Sequence, residues 1–243
     1  MMQLQFVGSG DAFGSGGRFQ ACILLSAHAN RMLLDCGVTS LVAMKRLGLN
    51  PAEVGTVLLS HLHGDHFGGV PFLVLDGQFS RRELPLLIVG PPGVRARVEA
   101  AMEVFFPGSS AVERRFPVIF EEWEDRKSRN VGPVSATPFE VDHPSGAPAY
   151  ALRVSACGKT IAYSGDTAWC PAVVDAARGA DLLVAEAYMH SRQVKFHLDY
   201  ATLLRERAQL ECSRIILTHM SSDVLTQPTP GFERAEDGLV VTV

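Results

Sequence analysis

The stretch Val57-Leu58-Leu59-Ser60-His61-Leu62-His63-Gly64-Asp65-His66 decides how the rest of the chain is read. Val57–Leu59 is short and wholly apolar, the pattern of a buried strand, and it runs straight into three imidazoles and a carboxylate. Neutral imidazoles and carboxylates are ligands that divalent zinc takes. In an extended segment His61 and His63 point to the same side, so they can hold one ion together. Gly64 lets the chain turn, and Asp65 and His66 can then face a second ion nearby. Surface histidines in a polar loop would have no reason to gather this tightly behind a buried strand.

Working outward, three more residues sit in matching places. His143 lies in Glu-Val-Asp-His-Pro after the strand-like Thr137–Val141, Asp166 in Tyr163-Ser-Gly-Asp-Thr167, and His219 in Ile215-Ile-Leu-Thr-His-Met-Ser221. Strand ends of α/β sheets are where sites collect. Each of the three, taken alone, is as readily a cap, a turn residue or a core histidine. Together with the cluster they supply a third imidazole, a bridging carboxylate and a closing imidazole, which completes two metal sites.

Around these positions short β-branched runs alternate with helical stretches. Gln3–Gly8, Ala21–Leu25, Arg31–Asp35, Thr56–Leu59 and Leu86–Gly90 read as strands. Thr39–Leu47, stopped at Gly48, and Val94–Phe106, started after Pro91-Pro92, read as helices. Val118–Glu122, Val134–Pro138, Tyr150–Ser155 and Thr160–Tyr163 form a strand-rich middle. The second half repeats the style with helix Pro171–Arg178, strand Leu182–Ala185, helix Ala201–Glu211, strand Ile215–Leu217 and a last strand Leu239–Val243. Two strand groups with helices in both halves predict an α/β fold, a four-layer αβ/βα sandwich, as one domain over residues 1–243. The most linker-like stretch, Glu121–Pro133, fits a surface loop or hairpin tip better than a domain boundary.

The series HxHxDH followed by single His, Asp and His positions at strand ends resembles the metallo-β-lactamase fold of binuclear metal hydrolases. The resemblance runs from Gly8 to His219 and, with Glu236-Asp-Gly-Leu-Val240, almost to the last residue. It implies that His61, His63 and His143 hold the first ion and Asp65, His66 and His219 the second, with Asp166 bridging them. The ions would be two divalent cations, zinc in the first place, although His/Asp sites also accept manganese or iron. Asp35, in Leu33-Leu-Asp-Cys-Gly37, resembles the family's buried aspartate that orients a ligand imidazole from behind.

Within that superfamily, Ala185-Glu186-Ala187, then His197 with a helix after it, then Leu-Thr-His-Met-Ser, resembles the ribonuclease Z group. There the Glu–His pair lies beside the metals and the His is proposed to protonate the leaving oxygen of a phosphodiester. A carboxylate beside an imidazole fixes its tautomer and supports proton donation. The implied reaction is attack by a metal-bridged hydroxide, with Asp65 orienting it and His197, backed by Glu186, as proton donor. The tRNA-processing members carry a long arm inserted between the positions matching His143 and Asp166. Here that interval has room for a strand pair only. A small or cyclic phosphodiester is therefore favoured over tRNA. Lactonase or thioesterase chemistry on the same ions, tRNA 3′ processing, and a metal-binding protein without turnover are the alternatives. Relatives often form homodimers, which the resemblance implies here as well.

Composition agrees. With 22 Lys+Arg, 26 Asp+Glu and a net charge of −4, the chain has no basic block for non-specific phosphate neutralisation. The five cysteines show no CxxC spacing, so neither a disulfide framework nor a zinc knuckle is expected, and a reducing, cytoplasmic location is. No apolar run reaches membrane-spanning length, and MMQLQFVGSG does not read as a signal peptide. The Gly8–Gly14 segment has GxGxxxG spacing and leads into a strand, which argues against a dinucleotide site. It is either a tight turn or a loop whose Ser15, Arg18 or amides meet a phosphate. Selectivity is expected from loops around the ions: Gly8–Arg18, Gly68–Phe79 and Ser145–Ala149. Of the eight histidines, His28 and His190 are left as surface residues.

Overall fold

The computed structural model describes residues 1–243. The first half builds one sheet from β1 (Met2–Gly8), β2 (Cys22–Ala27), β3 (Asn30–Leu34), β4 (Thr56–Leu58), β5 (Leu86–Gly90) and β6 (Val118–Glu122). The second half builds another from β7 (Arg129–Val131), β8 (Val134–Val141), β9 (Ala149–Ala156), β10 (Lys159–Tyr163), β11 (Leu182–Glu186), β12 (Ile215–Thr218) and β13 (Glu233–Arg234). A last strand, β14 (Val240–Thr242), returns to pair antiparallel with β1. Both sheets are mixed: β3 to β6 run parallel in the first, and β10 to β13 in the second. Parallel neighbours need crossovers, and those crossovers carry the helices.

The helices are α1 (Ser40–Arg46), α2 (Gly64–Phe67), α3 (Val70–Phe79) and α4 (Val94–Phe105) on the first half, with α5 (Pro171–Ala177), α6 (Tyr200–Arg205) and α7 (Ser222–Leu225) on the second. Three apolar clusters define the layers. One lies between the sheets, joining Leu4, Phe6, Leu25 and Leu34 to Leu152, Tyr163 and Val184. A second packs Leu33, Val57 and Ile88 under α1, α3 and α4. A third packs Ala162, Leu183 and Leu217 under α5 and α6. The order is therefore helix, sheet, sheet, helix, as expected from the alternating pattern.

Several local expectations need correction. Gly68–Phe79 is not a selectivity loop. Val70–Phe79 is helix α3, whose Val70, Leu73 and Val74 are buried. Its apolar residues surround the axis, so no amphipathic stripe announces it. The helix expected over Ala201–Glu211 stops at Arg205 and continues only as a 3-10 turn at Arg207–Gln209. Glu121–Pro133 holds the crossing from the first sheet to the second together with β7, which pairs with β8. The interval between His143 and Asp166 is filled by the β9–β10 hairpin alone. No helix is long and apolar enough to cross a membrane.

Candidate metal centre

The first sheet delivers the continuous motif. β4 ends at Leu58, His63 is extended, and Gly64–Phe67 closes one helical turn that lifts Asp65 and His66 to face the same space. Gly37 lets the loop after β3 lie directly on that turn, since a Cβ there would meet the Asp65 carbonyl oxygen at 2.2 Å. The second sheet delivers single residues from the ends of four strands: His143 after β8, Asp166 after β10, Glu186 as the last residue of β11 and His219 after β12. All the expected ligands meet in one place. His61, His63 and His143 form one group; Asp65, His66, Asp166 and His219 form a second.

In the first group, Nδ1 of His143 donates to the Phe196 carbonyl at 2.9 Å. Its Nε2 is then a bare lone pair, and it faces Nδ1 of His63 at 3.1 Å. Nε2 of His61 is buried with no partner. A proton on Nδ1 of His63, or a cation set among the three nitrogens, satisfies these lone pairs. Burial, reinforced by the neighbouring imidazoles, pushes His61 well below the ordinary histidine range. His63 and His143 are lowered first by burial as well. These rings are held neutral, the state a cation requires.

The second group is built differently. Nε2 of His66 lies 3.3 Å from Oδ2 of Asp65 and 3.3 Å from Oδ1 of Asp166. Nε2 of His219 lies 3.2 Å from Asp65 and 3.6 Å from Asp166. Burial opposes charge on His66, but Asp166, Asp65 and Asp35 outweigh it and raise its pKa well above the usual value. His219 is raised against the same burial by Asp166. Asp65 and Asp166 are correspondingly lowered against burial, Asp65 chiefly by His66 and Asp166 chiefly by His219. Nε2 of His66 and Oδ1 of Asp166 have no hydrogen-bond partner though buried. Metal–nitrogen and metal–oxygen bonds of about 2.0–2.2 Å place neighbouring ligands about 3.3–3.6 Å apart in a tetrahedron, the spacing seen here. The donor set fits a pair of divalent cations.

Asp35 anchors both groups from behind. It is fully buried, and it adopts a left-handed backbone at φ 58°, a conformation Asp tolerates better than most residues. Oδ2 accepts from Nδ1 of His66 at 2.7 Å, from Ser60 Oγ at 2.7 Å and from Tyr163 Oη at 2.8 Å. Oδ1 accepts from the Ser60 amide at 2.7 Å. Because the Ser60 hydroxyl donates to Asp35, it must accept from Nδ1 of His61, 3.0 Å away, which frees His61 Nε2 for a cation. One carboxylate thus sets the tautomer of a ligand in each group. Ser60 and Tyr163 were not foreseen: a Ser ahead of the motif and a Tyr at a strand end carry no spacing signal. Phe196, in a left-handed conformation at φ 68° with its carbonyl on His143, was also invisible.

Glu186 is fully buried at the end of β11. Its Oε1 accepts from the Thr167 amide at 2.6 Å and the Leu198 amide at 3.2 Å. Its Oε2 lies 3.0 Å from Nδ1 of His197, whose ring is partly exposed. The expected pair therefore forms beside Asp166. Burial, then Asp166, pushes the Glu186 carboxyl well above its usual range. Arg18 and Ser15 do not face the centre as anion ligands. The Arg18 guanidinium binds Ser9 Oγ and the Ala235 carbonyl, and Ser15 Oγ donates to Asp11 at 2.7 Å. Their loop instead presents Phe13, 85% exposed. A cavity of about 190 Å³ over the centre is walled by Phe13, Tyr188, His63, Asp166, His197 and His219. His190 is half-buried rather than free on the surface; its ring lies tilted against Tyr200 with centroids 4.6 Å apart.

Two mixed sheets under helices, with this His/Asp cluster at the strand ends, define a metallo-β-lactamase-fold protein of the ribonuclease Z-like branch. Ribonuclease Z of Methanothermobacter thermautotrophicus is 28% identical over an alignment covering 91% of this chain and 87% of its own. The crystal structure of human tRNase Z, short form, superposes with a TM-score of 0.80 at 23% identity, covering 99% of this chain and 98% of its own. That of a diphosphatase from the PhnP family gives 0.80 at 18% identity, covering 100% and 98%. The family model described as "Anti-Pycsar protein Apyc1" matches residues 2–235, and the chain belongs to that family.

Proposed function

We propose that the protein is a binuclear metal-dependent phosphodiesterase acting on a small or cyclic phosphodiester, folded as one domain over residues 1–243. The observation that carries the reading is the Glu186–His197 pair, 3.0 Å apart, set against the converging donor atoms of the two ligand groups. His61, His63 and His143 would hold one divalent ion, Asp65, His66 and His219 the other, and Asp166 both. Zinc suits this donor set, and manganese or iron are compatible with it. When bound, the ions supply Lewis acidity for a phosphoryl oxygen and make hydroxide available from water near neutral pH.

The chain's own groups do the rest. Asp65, held at the cavity wall by His66 and His219, orients the attacking oxygen. His197 gives a proton to the departing oxygen; Glu186 fixes the ring through Nδ1 and leaves Nε2 for that proton. Phe13 and Tyr188 offer apolar faces to the organic part of the substrate, Tyr188 lying 4.9 Å from the His197 ring. A cavity of about 190 Å³ suits one phosphodiester group. The relatives named for tRNA processing support phosphodiester chemistry, whereas the bare β9–β10 hairpin and the net charge of −4 support a small substrate.

A hydrolysis screen tests this directly, comparing bis-p-nitrophenyl phosphate, 2′,3′-cyclic nucleotides, pre-tRNA, a lactone and a thioester with the metal-loaded protein. Turnover of the small phosphodiesters, lost with a chelator and restored by zinc or manganese, is expected. Efficient pre-tRNA cleavage would overturn the choice of substrate, and turnover of only the lactone or thioester would overturn the reaction.

A further inference from the structure

A third constellation adjoins the two ligand groups, sharing Asp166 and His219 with the second of them and adding the proton-transfer pair Glu186 and His197. Asp166, Glu186, His197 and His219 each bring one potential ligand atom to within 4.8 Å of the others. Nδ1 of His197 is 3.0 Å from Oε2 of Glu186 and 3.8 Å from Oδ2 of Asp166. Those separations bracket the edge of about 3.3–3.6 Å that a tetrahedral ion with bonds of about 2.0–2.2 Å requires. Nδ1 of His219 lies 3.7 Å from Oε2 of Glu186 without a hydrogen bond; with Nε2 facing the second ligand group it carries the ring's proton and is not a ligand here. The partly exposed His197 forms one wall of the cavity, so an ion has a way in.

We propose that Glu186, His197 and Asp166 form a further, weaker site for a divalent transition-metal ion of the zinc class, and that filling it switches hydrolysis off. The proposal rests on the dimetal phosphodiesterase reading and goes beyond it. The shared Asp166 already faces the two-ion site, so a third ion there meets the charge of the first two and binds more weakly. The ion takes the Nδ1 lone pair of His197 and an oxygen of Glu186, and the displaced proton leaves to solvent. An ion between them breaks the Glu186–His197 contact that fixes the ring, so the imidazole is no longer held where it can serve the departing oxygen. Magnesium and calcium, which prefer all-oxygen ligands, should not compete for an imidazole site.

The test is metal counting with no substrate present. Stripped protein is dialysed against graded free Zn2+ and bound metal is measured by elemental analysis. Wild type should take up two tight equivalents and then a third at higher free Zn2+. Glu186→Gln and His197→Ala should each keep the tight pair and lose the third, while His190→Ala keeps all three. In parallel, wild-type hydrolysis of a 2′,3′-cyclic nucleotide should fall at least ~10-fold as the third equivalent fills, and excess Mg2+ should leave it unchanged. Saturation of wild type at two equivalents, or a third equivalent that survives in both variants, overturns the inference alone. Uptake below two overturns the dimetal reading beneath it.

Discussion

The two sheets share the centre unequally. The first contributes one unbroken run, His61 to His66, braced by Asp35 and Ser60 from the same half. The second contributes His143, Asp166, Glu186 and His219 from four separate strand ends, two of them held by backbone groups from elsewhere in that half. The Phe196 carbonyl holds His143, and the Thr167 and Leu198 amides hold Glu186. The first half is thus a prefabricated cassette; the second is assembled only when its sheet is. Tyr163, at the end of β10, is the side-chain cross-link to the anchor, donating to Asp35 across the space between the sheets.

The comparison can be broken most severely at its anchor. Asp35→Ala leaves Ser60, His66 and Tyr163 without their buried acceptor, a loss of about 3–5 kcal/mol by analogy with severed buried ion pairs. Because Asp35 serves a ligand in each group, both ions should load poorly, which thermal unfolding and metal analysis will read together. If only one ion is lost, Asp35 does not couple the two ligand groups. His197→Ala leaves the cassette intact and should lower turnover about 10²- to 10⁴-fold for alkoxide leaving groups. The loss should be much smaller for p-nitrophenolate, which departs without a proton. An equal loss on both substrates, measured as kcat, would remove His197 from proton donation.

A gentler probe of the cross-link is Tyr163→Phe, which deletes one hydrogen bond to a buried carboxylate and should cost about 1.5–3 kcal/mol in unfolding free energy. Two tight metal equivalents should survive that change, since Asp35 keeps its contacts to Ser60 and His66. Phe13→Ala should have the smallest effect. Losing one aromatic face is worth about 0.5–1.5 kcal/mol, or a KM raised ~2- to 10-fold for ring-bearing substrates at unchanged kcat. A matching fall in kcat would mean that the Phe13 loop shapes the ions' surroundings rather than the substrate's.

The same asymmetry explains what could be read from the residues alone. The cassette is legible because its chemistry is contiguous: strand, imidazoles, turn, carboxylate. His143, Asp166 and His219 become legible only by adding them to it, and Glu186–His197 only through a family pattern. Ser60, Tyr163 and the Phe196 carbonyl act through contacts made between distant parts of the chain, and no local pattern marks a serine or a carbonyl for that work. Helix α3 does not read as a helix because Phe72, Leu75 and Phe79 stand outside its buried face and blur the stripe. The layer order was recoverable because alternating strands and helices leave few ways to bury both faces of two sheets.

Asp237 gives this architecture an order in time. Its carboxylate accepts from the Ser9 amide at 2.9 Å, Ser9 Oγ at 2.8 Å and the Phe19 amide at 2.8 Å, and so pins both ends of the loop that carries Phe13. The contact spans 228 positions of sequence. On the ribosome, residues 61–66 emerge early, long before the segment that fastens the entrance loop above them. A nascent chain can therefore collect its first histidines and still lack a finished mouth. Asp237→Ala should accordingly free the Phe13 loop, so that both tight metal equivalents stay bound while discrimination among substrates falls.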